Sequence, residues 1–210
     1  MSERKKIYFY IAANIAMLIP VPGRLAYAII LLVLFNIQMA VTTLFFHAIH
    51  RMNLASMRNA LLALLIIALG ILYKQIVIMV CPIAALTLSY CIFLPTLTSV
   101  IIEFFFLDYE HGVRPHLVVT MKKSCFMTVF NLFFFCIRDI FGYGTLTFPG
   151  LGSLVVIHLP YNPMITDAGV FLATIPGSLC LTALLLAVYI VGTKKISILL
   201  NSPIFMGEKK

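Results

Sequence analysis

Charge is what this chain has least of. Only 10% of its 210 residues are Asp, Glu, Lys or Arg, whereas 62% are apolar and the mean hydropathy is +1.09. A soluble domain carries about a quarter charged and close to half apolar residues. The composition therefore excludes a soluble globular domain and reads as an integral membrane protein. CxxC pairs are also missing. The five cysteines (Cys81, Cys91, Cys125, Cys136 and Cys180) lie singly in or beside apolar segments without metal-ligand spacing. They read as membrane-buried free thiols rather than disulfides or a zinc site. No Gly-rich phosphate loop and no nucleophile–base pair is present, which argues against a stand-alone enzyme. The net charge of +8 would suggest nucleic acid only if the basic residues formed a patch. They punctuate apolar runs instead, so the expected surroundings are membrane lipid and protein, with no nucleic acid.

What the chain does have is a series of apolar segments, and its length allows about six helices of roughly 20 residues each. The segments are Ile7–Ile19, Leu25–Ile49, Ala60–Val80, Pro82–Leu107 interrupted at Pro95, His116–Gly142, and Ala168–Thr193 with a kink expected at Pro176-Gly177. With six spans, one side carries Arg4, Lys5, Lys6, Arg51, Arg58, Arg114, Lys122, Lys123, Lys194, Lys195, Lys209 and Lys210. The other carries only Arg24, Lys74 and Arg138. This asymmetry predicts that both termini are cytoplasmic. The basic start and the Ala26-Tyr27-Ala28 triplet resemble a signal peptide, but the triplet lies inside a continuing apolar run, so no cleavage is expected.

The first segment would reach about 20 Å as a helix, short of a ~30 Å hydrocarbon core. It is expected to be a half-helix or to continue brokenly past Pro20, as the fourth segment does at Pro95. Short or proline-interrupted first helices in both halves point to an inverted repeat around a midplane site; kinks that serve packing alone are the alternative. The expected fold is thus an all-α membrane domain over 1–210. It has six transmembrane helices in two inverted three-helix repeats, about 7–80 and 82–193.

Polar residues within the spans need reasons. Arg138 and Asp139 stand near the end of the fifth segment, followed by Gly142 and Gly144. A helix terminus with interfacial anchors would explain such a pair, and glycine would supply the turn. Glu103 fits an interfacial position or an ion relay, and Asn14 a ligand at a half-helix end. Lys74 must snorkel or face protein. Asn36, Gln38 and Asn131 read as interhelical hydrogen-bond glue. His47 and His50 can share one helix face at an interface. The stretch Tyr143–Asp167 is long for an idle connection and is expected to contact a partner.

Three motifs carry a family resemblance. The segment Ile137–Leu146, IRDIFGYGTL, resembles the signature closing the fifth helix of the E-type subunit of Rnf complexes and of the D-type subunit of the sodium-pumping NADH:quinone reductase, Nqr. Ile92-Phe93-Leu94-Pro95 with Leu97-Thr98-Ser99 is similar to that family's fourth-helix segment, and Leu172-Ala173-Thr174-Ile175-Pro176-Gly177 to its sixth. The resemblance covers most of the chain and is weak between Pro20 and Tyr90. It implies a six-helix inverted repeat in a bacterial inner membrane, paired with an oppositely oriented sister subunit among other Rnf/Nqr-type subunits. It also implies an iron–sulfur cluster shared with that sister on cysteine thiolates. The two places where the family has its cysteines are occupied here by Ile19 and Ile101, neither of which can ligate iron. The expectation is a divergent subunit of an ion-translocating electron transport complex with no cofactor bound by this chain alone, the cluster being absent or ligated elsewhere. A small secondary transporter or a structural assembly paralogue on the same fold is the alternative.

Overall fold

The computed structural model describes residues 19–52, 57–106, 113–150, 152–160 and 167–200; of 101–106, 167–168, 170, 189–190 and 192–200 the backbone alone is described. The elements are α1 (Leu25–Arg51), α2 (Arg58–Val80), α3 (Pro82–Leu88), a 3-10 turn (Cys91–Phe93), α4 (Leu94–Phe106), α5 (Val113–Tyr143), β1 (Thr145–Pro149), β2 (Leu154–His158), α6 (Asp167–Ala173) and α7 (Ile175–Leu200). Three helices, α1, α2 and α5, are long and apolar enough to cross a bilayer, and a fourth crossing results if the bent α3–α4 pair counts as one span. Ile175–Val188 forms a shorter apolar helix. Residues 1–18, and with them most of the first segment and Asn14, lie outside the described residues.

Helix α1 is the axis of the molecule. Its buried side includes Ala28, Leu31, Leu32, Leu34, Phe35 and Phe46. It packs most extensively on α5, and the two run antiparallel, with Leu25 beside Asp139, Asn36 beside Ser124 and His47 beside His116. In contrast, α2 buries little beyond Leu62, Ile66, Gly70 and Val77, and turns Leu64, Ile67, Ile71, Leu72, Ile76 and Met79 outward. Such a face is compatible with lipid as the solvent, since the helix satisfies its backbone internally.

The breaks do not fall where the prolines are. The fourth segment turns by 80° at Ser89-Tyr90, where Ser89 has φ 24°, and not at Pro95. Pro95 is the second residue of α4, Pro176 the second of α7, and Pro82 the first of α3. A proline in the first turn surrenders an N–H that has no intrahelical partner anyway. The sixth segment breaks at Thr174 just ahead of Pro176, and the Thr174 hydroxyl accepts from the Gly177 N–H at 3.4 Å, an N-cap for α7. Gly177 packs so closely on the Phe171 carbonyl oxygen that a Cβ there would collide with it.

The expected loop from Tyr143 to Asp167 contains a β-hairpin, with Thr145 paired to His158 and Pro149 to Leu154. Gly144 opens it with φ 64° and ends α5 by an N–H bond of 3.0 Å to the Ile140 carbonyl, as a helix-closing glycine does. The hairpin tip is tied to the end of α2 by the Gly152 N–H on the Val80 carbonyl at 2.9 Å.

A second polar knot joins α1, α2 and α4. The Gln38 amide donates to Thr96 at 2.8 Å and to the Ile66 carbonyl at 3.3 Å, while Ser99 donates to Gln38 at 3.1 Å. Gly70 makes this approach possible, because a Cβ there would sit 2.7 Å from the Thr96 hydroxyl. Gly70→Val should push α2 off α4 and lower stability by about 2 kcal/mol, read as an earlier thermal transition of the detergent-solubilised protein. An unchanged transition would show that the helices separate at no cost.

Candidate functional site at the helix breaks

Arg138 and Asp139 are adjacent on α5 and face different partners. A guanidinium and a carboxylate enclosed in protein are expensive unless fully satisfied, and both are buried, at 1% and 0% exposure. Arg138 donates from Nη1 to the Val21 carbonyl at 2.9 Å, from Nη2 to that of Ala173 at 3.2 Å and from Nε to that of Leu172 at 3.4 Å. Its Cζ also lies 5.7 Å from the ring centroids of both Phe134 and Phe135. Leu172 and Ala173 are the last residues of α6, so the cation closes a helix C-terminus, where carbonyls and the dipole favour positive charge.

Asp139 does the converse at a helix start. Its Oδ2 accepts from the Leu25 N–H at 3.2 Å and from the Thr147 N–H and hydroxyl, each at 2.8 Å; Oδ1 accepts from the Thr145 hydroxyl at 2.9 Å. Thr147 passes the support on, accepting from the Ala26 N–H at 3.2 Å. Arg24, at the N-cap of α1, gives no side-chain cap, so the carboxylate and hydroxyl from α5 and β1 take over that task. These contacts enclose both charges and satisfy them within protein.

The glycines serve close approach as much as turning. A Cβ on Gly142 would lie 3.2 Å from Ala173, and one on Gly23 3.1 Å from Arg138 Nε. Gly23, a plain turn residue by sequence, thus makes room for the guanidinium.

The other motif positions gather nearby. The Ile19 carbonyl accepts from the Ser178 hydroxyl at 3.3 Å, and the Cys91 thiol donates to the Pro20 carbonyl at 3.7 Å. The turn after the first segment, the break in the fourth and the break in the sixth therefore meet, with Arg138 on one side. Cys91 at this meeting point was not singled out by sequence reasoning, because its motif neighbours carry no ligand pattern. The two positions at which the resemblance implies cluster ligands hold isoleucines, which have no side-chain ligating atom, and the Ile19 carbonyl is engaged by Ser178. The side chains of Ile101 and Glu103 lie outside the described residues. Among the described residues no three His, Cys, Asp or Glu side chains group as metal ligands, and the cysteines are free thiols.

Along α1–α5 the polar residues sort differently than expected. Asn36 does act as glue: its amide donates to the Leu32 carbonyl at 2.7 Å and to Thr128 at 2.8 Å, and its carbonyl accepts from Ser124 at 2.7 Å. Asn131 does not. His47 pairs across the seam with His116, Nε2 to Nδ1 at 3.1 Å. Lys74 rests its ammonium 5.4 Å from the Phe93 ring centroid.

Compared with protein-family models, with curated proteins and with solved structures, the chain finds no match.

Asp139→Asn removes the charge and one of the two acceptor oxygens that hold the Leu25 and Thr147 N–H groups and the two threonine hydroxyls, and should destabilise the protein by about 2 kcal/mol. Arg138→Lys, which cannot reach three carbonyls at once, should cost less but measurably. Thermal scans in matched detergent would rank them, and an Asp139→Asn protein as stable as the parent would refute the capping role.

Proposed function

We propose that this protein is a multi-pass membrane subunit of an Rnf/Nqr-type ion-translocating electron transport complex, one that carries no iron–sulfur ligands of its own. The observation that supports this reading best is the coincidence of the family-like motifs with one built site. In IRDIFGYGTL, Arg138, Asp139 and Gly142 meet the ends of other segments, while Gly144 ends α5 and Thr145 supports Asp139. The other two motifs contribute the fourth- and sixth-segment breaks that meet there. Short helices meeting within the bilayer are how inverted-repeat membrane proteins build a midplane site.

In this reading the full chain has six spans in two opposed repeats, with both termini cytoplasmic in a bacterial inner membrane. The hairpin then lies on the outer face, where β2 presents Val155, Val156 and Ile157 to a partner subunit. Position 19 and position 101 having no thiolate, electrons would pass on groups held by neighbouring subunits.

A small secondary transporter is the second reading, and the polar seam between α1 and α5, of buried Ser124 and Asn131 with half-buried Asn36 and Thr128, favours it. Affinity purification from native membranes, with mass spectrometry of partners, iron quantification and an absorption spectrum, separates the two. The complex reading predicts flavoprotein or quinone-linked partners and no iron that follows this chain once they are stripped away. Recovery of the protein alone, stabilised by a small solute, would establish the transporter instead.

A further inference from the structure

The seam between α1 and α5 holds one polar group that the fold leaves unanswered. Asn131 is 0% exposed, and neither its Nδ2 nor its Oδ1 has a hydrogen-bond partner. An orphaned amide of this kind costs about 1–3 kcal/mol, and the cost grows where no solvent can reach. It lies seven residues before Arg138 and eight after Lys123, which is about 10 Å and about 12 Å along the axis from those charges, near mid-depth in the span.

Its surroundings are built for polarity on one side only. Toward the hairpin end, Phe134 and Phe135 are fully buried one turn on. Toward the Arg51 end, Thr128 is one turn back on the same face of α5, and Ser124 two turns back. With Asn36 they form the hydroxyl–amide cluster described above. Thr128 Oγ1 accepts from Asn36 and donates to the Ser124 carbonyl at 2.9 Å, so one of its lone pairs stays open, as does one on Asn36 Oδ1. Beyond them, Thr120 and His116 extend the buried stripe to the His47–His116 pair.

The occupant must match both halves of the carboxamide. A bare cation would satisfy Oδ1 and leave Nδ2 unpaired, and it would bring a charge to this depth with no carboxylate in the cluster to balance it. An anion would fail in the opposite sense. A neutral molecule that donates and accepts meets both needs, and water is the smallest. Buried water commonly resolves groups of this kind with about three hydrogen bonds.

We propose that Asn131 is the head of an internal water site in the α1–α5 seam, bridged to the Asn36–Ser124–Thr128 cluster and continuous with the polar stripe toward His116. The proposal stands on the seam and does not depend on the family reading. Solid-state NMR on the full-length protein in lipid bilayers, with the Asn and Gln side-chain amides labelled with nitrogen-15, tests it through polarisation transfer from water. The Asn131 signal is identified by its loss in Asn131→Leu, or in Asn131→Ala if the first variant fails to fold. Gln38 is the dry reference, being 0% exposed with its amide donating to Ile66 and Thr96. Asn131 should gain water polarisation several-fold faster than Gln38. Build-up as slow as that of Gln38 would overturn the proposal and identify a dry, strained amide.

Discussion

Everything in this fold leans on a swap made by two neighbouring residues. Arg138 reaches the carbonyl ends of one helix and one turn, while Asp139 reaches the amide start of another helix and the first strand of the hairpin. Successive residues on an α-helix point about 100° apart, so one turn of α5 can serve two sites of opposite polarity. Each charge goes where backbone groups of opposite sign are left over. The arrangement fastens α1, α5, α6, the hairpin and the turn at Val21 with no ion pair between the two side chains being needed. Where the chain excludes water, this turns broken helices from a liability into a joint.

Much of this was legible in the amino-acid order, and the limits were physical. Apolar runs announced α1, α2 and α5, because a lipid-embedded helix must be apolar over its length. Gly144 announced the end of α5. The position of the breaks was misread, since proline suggests a kink but is tolerated in a first turn; Ser89 and Thr174 carry no comparable signal. The hairpin was hidden because β2 is apolar on both faces, which removes the alternation by which a half-buried strand is recognised.

The site was legible in part for a related reason. Charge scarcity singled out Arg138 and Asp139, but their partners are mostly main-chain carbonyls and amides, which every residue possesses. No side-chain pattern at Val21, Leu25, Leu172 or Ala173 could have named them. Gly23 is similar: its role follows from a guanidinium that arrives from 115 positions away. Asn36 and Gln38 found the partners expected of interhelical glue, whereas Asn131, chemically the same as Asn36, found none. Residue type alone cannot distinguish the two.

The joint at Arg138 and Asp139 also imposes an order on how the chain is made. When α5 leaves the ribosome, Val21 and Leu25 already exist, but Thr145, Thr147, Leu172 and Ala173 have not yet been synthesised. Five of the seven groups that satisfy this pair are therefore missing when α5 is made. The end of α5 cannot be enclosed until the hairpin and α6 emerge to receive it. The hairpin and α6 are in that sense a clasp for a helix made before them, and truncation ahead of Thr145 would leave both charges short of their partners.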